Sequence, residues 1–233
     1  MGDTWLSFWQ EKNAFDDSMS INYAYFLKKV EQHISVDKSI VVLDIGSGPG
    51  HLEDAWHNRV KEIHAVDVSV RYNTMVREKH KAHPNVFIYD LPADNYLNLS
   101  LLGATKFDLV IVMSVLQYYR NKEEVISLLQ SIKNVVAPGA TLLLCDLMAD
   151  VPFHKEVTQI LKDAVREKKL LSIVSLLFKL RFSRYYKIKK QSGFLILKDE
   201  EWLEIFNRLQ LKATYIKEPI TLQKNRKSVM IQF

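Results

Sequence analysis

A chain of 233 residues, 48% of them hydrophobic and 25% charged, is long enough to bury a full core and falls within the range of one large α/β domain. Cys145 is the only cysteine, which excludes an intramolecular disulfide and, with the abundance of Lys, fits a reducing compartment, so the cytosol is the expected location. The first residues lack the basic and apolar regions of a secretion signal, Leu6 stands where a myristoylation signal needs Ser or Thr, and the longest apolar run, Leu170 to Phe178, is about half of the roughly 20 residues that cross a bilayer.

The net charge of +5 is unevenly spread, because Lys and Arg outnumber Asp and Glu by 11 to 3 between His154 and Lys190 while the rest of the chain sums to −3. A field of that sign attracts anionic lipid, nucleic acid, an acidic protein or an anionic substrate, and selects none of them. A solvated basic helix is the plainer reading.

In chain order, an aromatic segment with Trp5, Phe8, Trp9 and Phe15 precedes an amphipathic helix over Ile21 to Ile34. From Ile40 to Cys145, short β-branched runs alternate with helical stretches, the pattern of a parallel sheet wrapped by helices. Strands are expected at Ile40 to Leu43, Glu62 to Val66, Val86 to Tyr89, Phe107 to Val112 and Ala140 to Leu144. Near-continuous apolarity predicts that the central ones are covered on both faces. Val125, Leu128, Leu129, Ile132 and Val136 repeat at helical spacing ahead of the breaker pair Pro138-Gly139. His154 to Leu180 reads as one or two helices with no strand. A further helix, Asp199 to Leu209, leads to strand candidates at Leu211 to Ile216 and Ser228 to Phe233.

The strongest chemical signal is Val41 to Gly50, an apolar strand ending in Asp44 and then Gly46, Gly48 and Gly50 at alternate positions before a helix at about Leu52. Glycine lets the backbone turn sharply and lets a ligand approach without meeting a Cβ, and the following helix offers free N–H groups. A dinucleotide-binding loop would place its third glycine where His51 stands, which argues against a nicotinamide cofactor.

This loop resembles the first motif of class I S-adenosylmethionine-dependent methyltransferases of the small-molecule type, acid-x-Gly-x-Gly-x-Gly, which Asp44, Gly46, Gly48 and Gly50 match in full. The resemblance implies a Rossmann-like methyltransferase fold, a seven-stranded, mostly parallel sheet with helices on both faces. It implies S-adenosyl-L-methionine as cofactor, with its methionine part against Gly46 and Gly48 and its ammonium positioned by Asp44. Asp67, closing strand two, would accept both ribose hydroxyls, and Asp90 with the following amide would read adenine. Ser47, Gly50, Val68, Leu91 and Met113 complete the expected cofactor contacts, and no metal is expected. Residues 1–36 would form an N-terminal lid, 37–150 the cofactor core, 151–195 a helical cap after strand five, and 196–233 the last helix and strands.

Met113 to Tyr119 is similar to the segment that faces the transferable methyl in small-molecule members, except that Gln117 and Tyr118 stand where many relatives carry a histidine pair. Tyr118, His51, His154 and Tyr23 are the candidate bases, and no motif singles one out. Pyrimidine C5 chemistry is disfavoured because Cys145 lacks a Pro-Cys context, and an Asn-Pro-Pro-Tyr segment for gripping a flipped base is absent. The expected reaction is methylation at O, N or C of a small, apolar or aromatic acceptor, either free or presented by an acidic carrier protein or at an anionic membrane that the basic stretch 154–190 would touch from the cytoplasmic side. The alternatives are an RNA methyltransferase and a non-catalytic cofactor-binding protein.

Overall fold

The computed structural model describes residues 4–12, 16–149 and 183–233. His154, Phe15, the helices expected over 154–180 and most of the basic stretch lie outside the described residues. Numbered over the described chain, the helices are α1 (Trp5–Trp9), α2 (Asp16–Val30), α3 (His51–Trp56), α4 (Val70–Lys79), α5 (Lys122–Val135), α6 (Arg184–Ser192) and α7 (Asp199–Arg208). The strands are β1 (Val41–Ile45), β2 (Glu62–Asp67), β3 (Val86–Asp90), β4 (Phe107–Met113), β5 (Val136–Leu147), β6 (Lys212–Tyr215) and β7 (Lys227–Gln232).

They form one seven-stranded sheet in the order β3-β2-β1-β4-β5-β7-β6. The first five strands pair in parallel, and β7 runs antiparallel to β5 and β6. Side chains alternate across this sheet as the period of two requires. Val41, Leu43 and Ile45 of β1, with Val110 and Val112 of β4, pack on one face against α5 and α7. Val42, with Leu109 and Ile111, faces α2 and α3 through Phe26, Leu52 and Trp56. No helix among the described residues is long and apolar enough to cross a membrane.

Two expected boundaries differ. The helix expected from Ile21 begins at Asp16 and ends at Val30, because turns occupy residues 31–34. Pro138-Gly139 lies inside β5 rather than ahead of it: Val136 already pairs with Phe107, and the register then shifts before Leu109 meets Thr141. Gly139, at φ +81°, keeps contact with the sheet by donating its N–H to the Phe233 carbonyl at 3.0 Å.

The turn after β1 positions everything that follows. Gly46, Gly48 and Gly50 have φ of +74°, +55° and +80°, the left-handed region where side chains are strained. A Cβ on Gly46 would strike the Val115 side chain, and one on Gly50 would lie 2.7 Å from Val76 Cγ2. A Cβ on Gly48 would meet no protein atom within 4 Å. Gly50 thus serves the packing of the loop on α4, whereas Gly48 keeps a surface clear. Replacing Gly50 by Ala should cost about 1–3 kcal/mol of stability from the left-handed backbone alone. Urea unfolding should also show that Val76→Ala, which removes the colliding methyls, costs less in the Gly50→Ala background than in the wild type.

Candidate active site

A cavity of about 510 Å³ opens above the C-terminal ends of β1, β2 and β4, where the strand order reverses between β1 and β4. Open parallel sheets bind ligands at such a switch point. Gly46, Ser47 and Gly48 line one wall, Asp67, Val68 and Leu91 a second, and Met113, Ser114 and Tyr118 a third, with Tyr23 of α2 beside them.

Asp67 ties these walls together. Its Oδ2 accepts the Gly48 N–H at 2.9 Å and its Oδ1 accepts the Ser69 N–H at 2.7 Å, joining the glycine loop to the start of α4. Ser69 in turn caps α4 by accepting the Tyr72 N–H at 3.3 Å. Burial pushes the Asp67 carboxyl up, and the backbone N–H groups of Ser69, Gly48 and Val68 pull it back. With these N–H groups on a carboxylate of about four acceptor sites, acceptor capacity remains for a hydroxyl donor from the cavity.

Other expected contacts sit elsewhere. Asp44 lies behind the loop, buried, with neither oxygen hydrogen-bonded. Gly50 packs on Val76 and does not line the cavity. Both parts of the expected adenine contact have partners within the fold. The Asp90 carboxylate accepts Asn73 Nδ2 at 2.8 Å and the Arg77 guanidinium at 2.9 Å, and the Leu91 N–H donates to the Asp67 carbonyl at 2.9 Å. Continued pairing of β2 with β3 past Asp90 consumes that amide, so only the Leu91 side of the segment reaches the cavity.

Residues 42–139 match the family model described as a methyltransferase domain. Over those residues the chain is similar to a methyltransferase domain. In sequence, 109 residues are 30% identical to chondramide synthase cmdD of Chondromyces crocatus, over 46% of this chain and 3% of that synthase, so the chain spans a small fraction of this curated relative. Among solved structures, the N-methyltransferase NodS of Bradyrhizobium japonicum WM9, in complex with S-adenosyl-L-homocysteine, aligns with a TM-score of 0.56 at 15% identity, covering 100% of this chain and 92% of that one. The CurJ carbon methyltransferase aligns with a TM-score of 0.56 at 16% identity, over 94% of this chain and 56% of that one. At these identities the structural likeness is one of fold.

Over this cavity lies α1. Trp5 Nε1 donates to the Gly193 carbonyl at 3.1 Å, Ser69 Oγ donates to the Trp9 carbonyl at 2.7 Å, and Gln10 Nε2 donates to the Val68 carbonyl at 2.7 Å. Trp5 also stacks on Phe194 at 5.1 Å and meets Tyr118 at 5.0 Å. The aromatic segment therefore roofs the site, with the end of α6 at its edge.

The candidate bases divide by environment. Burial drives the Tyr118 phenol far above its ordinary value, and it drives Tyr23 the same way with help from Asp44, Glu53 and Asp67, so both remain neutral donors. His51 is pushed down by burial and stays neutral near pH 7; its Nε2 has no hydrogen-bond partner, and its ring lies 5.4 Å from Tyr23, behind the cavity wall.

Two features carry no motif that singled them out. Ser114, just after β4, and Asp146, the penultimate residue of β5, have φ of +59° and +62°, strained for residues other than glycine. Ser114 lines the cavity, and its Oγ donates to the buried Asp146 Oδ2 at 2.6 Å, while Arg226 approaches Oδ1 at 3.8 Å. An acid closing strand five, in line with Asp44, Asp67 and Asp90, is the signal that marks Asp146. The other feature is Glu53 of α3, buried, with neither oxygen hydrogen-bonded. Burial raises its carboxyl to about 8. Because the folded protein holds this proton and an unfolded Glu gives it up near pH 4.3, stability of the cofactor-free protein should fall as pH rises from about 4.5 to 8. Melting curves across that range should show the decline in the wild type and a flatter profile in Glu53→Gln.

Proposed function

We propose that this domain transfers the methyl group of S-adenosyl-L-methionine to a small, apolar or aromatic acceptor presented by an acidic carrier protein. The observation that carries the cofactor is the wall formed by Gly48 and Asp67: a glycine whose missing Cβ faces open space, hydrogen-bonded to a buried carboxylate with lone pairs to spare. On this reading Asp67 takes the ribose hydroxyls, Val68 and Leu91 flank the adenine, Gly46, Ser47 and Gly48 run beside the methionine part, Met113 floors the transfer point, and Asp44 answers the ammonium from behind the loop.

The cofactor supplies a methyl made electrophilic by its sulfonium, so the chain's own residues have to align the acceptor and exclude water. The roof of Trp5 and Trp9 excludes water. Tyr118 and Tyr119, both lining the cavity, offer aromatic faces to an apolar acceptor. Ser114, its proton committed to Asp146, turns oxygen lone pairs to an acceptor hydroxyl or amine and can pass that proton on to the carboxylate. Presentation by a carrier is supported by the position of α6: Ser192 and Gly193 line the cavity, and the same helix bears Lys187, Lys189 and Lys190. The likeness to a short stretch of a large synthase points the same way. An anionic membrane surface is the second anion such a strip would accept, and it enters as an arm of the test.

Calorimetry with S-adenosyl-L-homocysteine should show binding. Asp67→Asn should weaken it by roughly 10- to 100-fold, the worth of about 1.5–3 kcal/mol for a hydrogen bond to a charged group. Gly48→Ala should stay folded, losing only the left-handed cost of about 1–2 kcal/mol, yet bind at least roughly tenfold more weakly. No heat from the folded wild type would refute the cofactor reading.

Transfer of labelled methyl should then be compared for an acyl or aryl acceptor that is free, thioester-linked to an acidic carrier, or held in anionic vesicles. Lys187, Lys189 and Lys190 changed together to Glu should raise KM for the carrier-bound acceptor alone, and salt should mimic this in the wild type, since screening at 0.1 M acts beyond about 10 Å. An effect confined to vesicles would transfer the docking role to a membrane.

A further inference from the structure

The alternation along β1 that sends Val42 toward α2 and α3 sends Asp44 the same way, away from the face that packs on α5. It enters a layer made by Tyr23 and Phe26 of α2 and Leu52 and Trp56 of α3. Glu53, in the first turn of α3, is buried in that layer too. Asp44 and Glu53 are both 0% exposed, and none of their four carboxylate oxygens has a hydrogen-bond partner. Ser47, on the loop between them and lining the cavity, likewise has a buried hydroxyl without a partner. A protein interior does not hold two ionised, unpaired carboxylates at close quarters: repulsion and lost hydration together keep one of them neutral.

We propose that Asp44 and Glu53 are a buried carboxyl pair sharing one proton in the cofactor-free protein, and that the α-ammonium of the bound cofactor replaces this proton, with Glu53 as a positioning residue acting through Asp44. This rests on the cofactor reading above. One positive charge enters beside the pair, one proton leaves to the buffer, and the net charge of the buried layer is unchanged. The pair then binds the ammonium as an anion without ever being exposed as two bare charges.

The charged and titratable groups that face the pair fit this exchange. Asp67 at the end of β2 and Asp54 on α3 add negative charge that favours the shared proton. Tyr23 on α2 and Cys145 on β5 are buried and held neutral. Lys79 of α4 favours ionisation, but Asp54 holds it in an ion pair at 2.5 Å. His51, held neutral by burial, brings no positive charge. Among the described residues no cation is hydrogen-bonded to either carboxylate, which leaves that role to a ligand.

S-adenosyl-L-homocysteine is the probe, because it carries the ammonium and has no methyl to transfer. At about pH 6 to 7 its amine stays protonated, amino groups of this kind titrating near 8. Calorimetry in phosphate and in Tris, buffers of different ionisation enthalpy, counts protons. Binding should release roughly one proton near pH 7, and affinity should rise up to about tenfold per pH unit. Glu53→Gln should still bind the probe while releasing less than the wild type, since burial and Asp67 still hold the Asp44 carboxyl up but the Glu53 charge no longer does.

Should that variant fail to fold, carbon-13 carboxyl resonances of the wild type serve instead: a Glu signal titrating near 8 in the free protein should lose that titration when the probe is bound. Binding without proton release, or undiminished release in Glu53→Gln, or a Glu titration unmoved by the probe, would overturn the proposal and leave the cofactor reading intact. Absence of binding in folded protein would instead refute the cofactor reading.

Discussion

The Asp67 carboxylate, holding the Gly48 N–H on one oxygen and the Ser69 N–H on the other, is the interaction on which the cavity depends. Through Gly48 it fixes the turn that leaves β1, and through Ser69 it fixes the entry to α4. Asn73 on α4 extends the clamp, donating to the Asp67 carbonyl at 2.9 Å and to Asp90 Oδ1 at 2.8 Å, so the ends of β2 and β3 move with the same helix. A buried carboxylate is costly to desolvate, and satisfying it with several backbone donors is what makes its burial tolerable. The arrangement leaves acceptor capacity directed toward the cavity.

The glycines of the turn share a backbone conformation but not a purpose. Gly46 and Gly50 are required by Val115 and Val76, side chains that would otherwise be struck, and Gly48 is required by what enters the cavity. On the opposite side of β1 from the α5 layer, the buried acids Asp44 and Glu53 make the floor behind the loop electrically demanding. Packing on one face and unbalanced charge on the other thus meet at the segment from Val41 to Gly50, with the cavity between them.

Much of this was legible in the sequence, for identifiable reasons. The central parallel strands declared themselves because doubly covered strands are continuous apolar runs between turn residues, and the glycine loop because three alternate glycines after a strand mark a left-handed turn that other residues adopt only under strain. Asp67 was legible as an acid closing a strand at a set distance after that loop. Gly50 was assigned to the ligand because spacing does not report which neighbour a missing Cβ would meet. Asp90 and the amide after it were assigned to adenine because pairing beyond the last apolar residue of β2 and β3 leaves no mark in composition. The burial of Glu53 was not legible, since a helix as short as α3 offers too little phase to separate faces. Ser114 and Asp146 depend on left-handed backbone at non-glycine positions, which tertiary packing imposes and residue type does not announce.

Around Tyr118 the roof of α1 and the residues after α6 meet through rings, beside the ion pair of Arg184 with Glu11, and the Ser114–Asp146 pair is a polar element set in that wall. A site so divided has a charged, hydrogen-bonding wall on one side and an aromatic one on the other. The most direct measurement of this division is a crystal structure of the protein grown with S-adenosyl-L-homocysteine. The ribose hydroxyls should lie on Asp67, the homocysteine backbone along Gly46 to Gly48, and the sulfur should turn toward Met113 and Ser114. A ligand seated outside this cavity, or inside it with its ribose away from Asp67, would contradict the division.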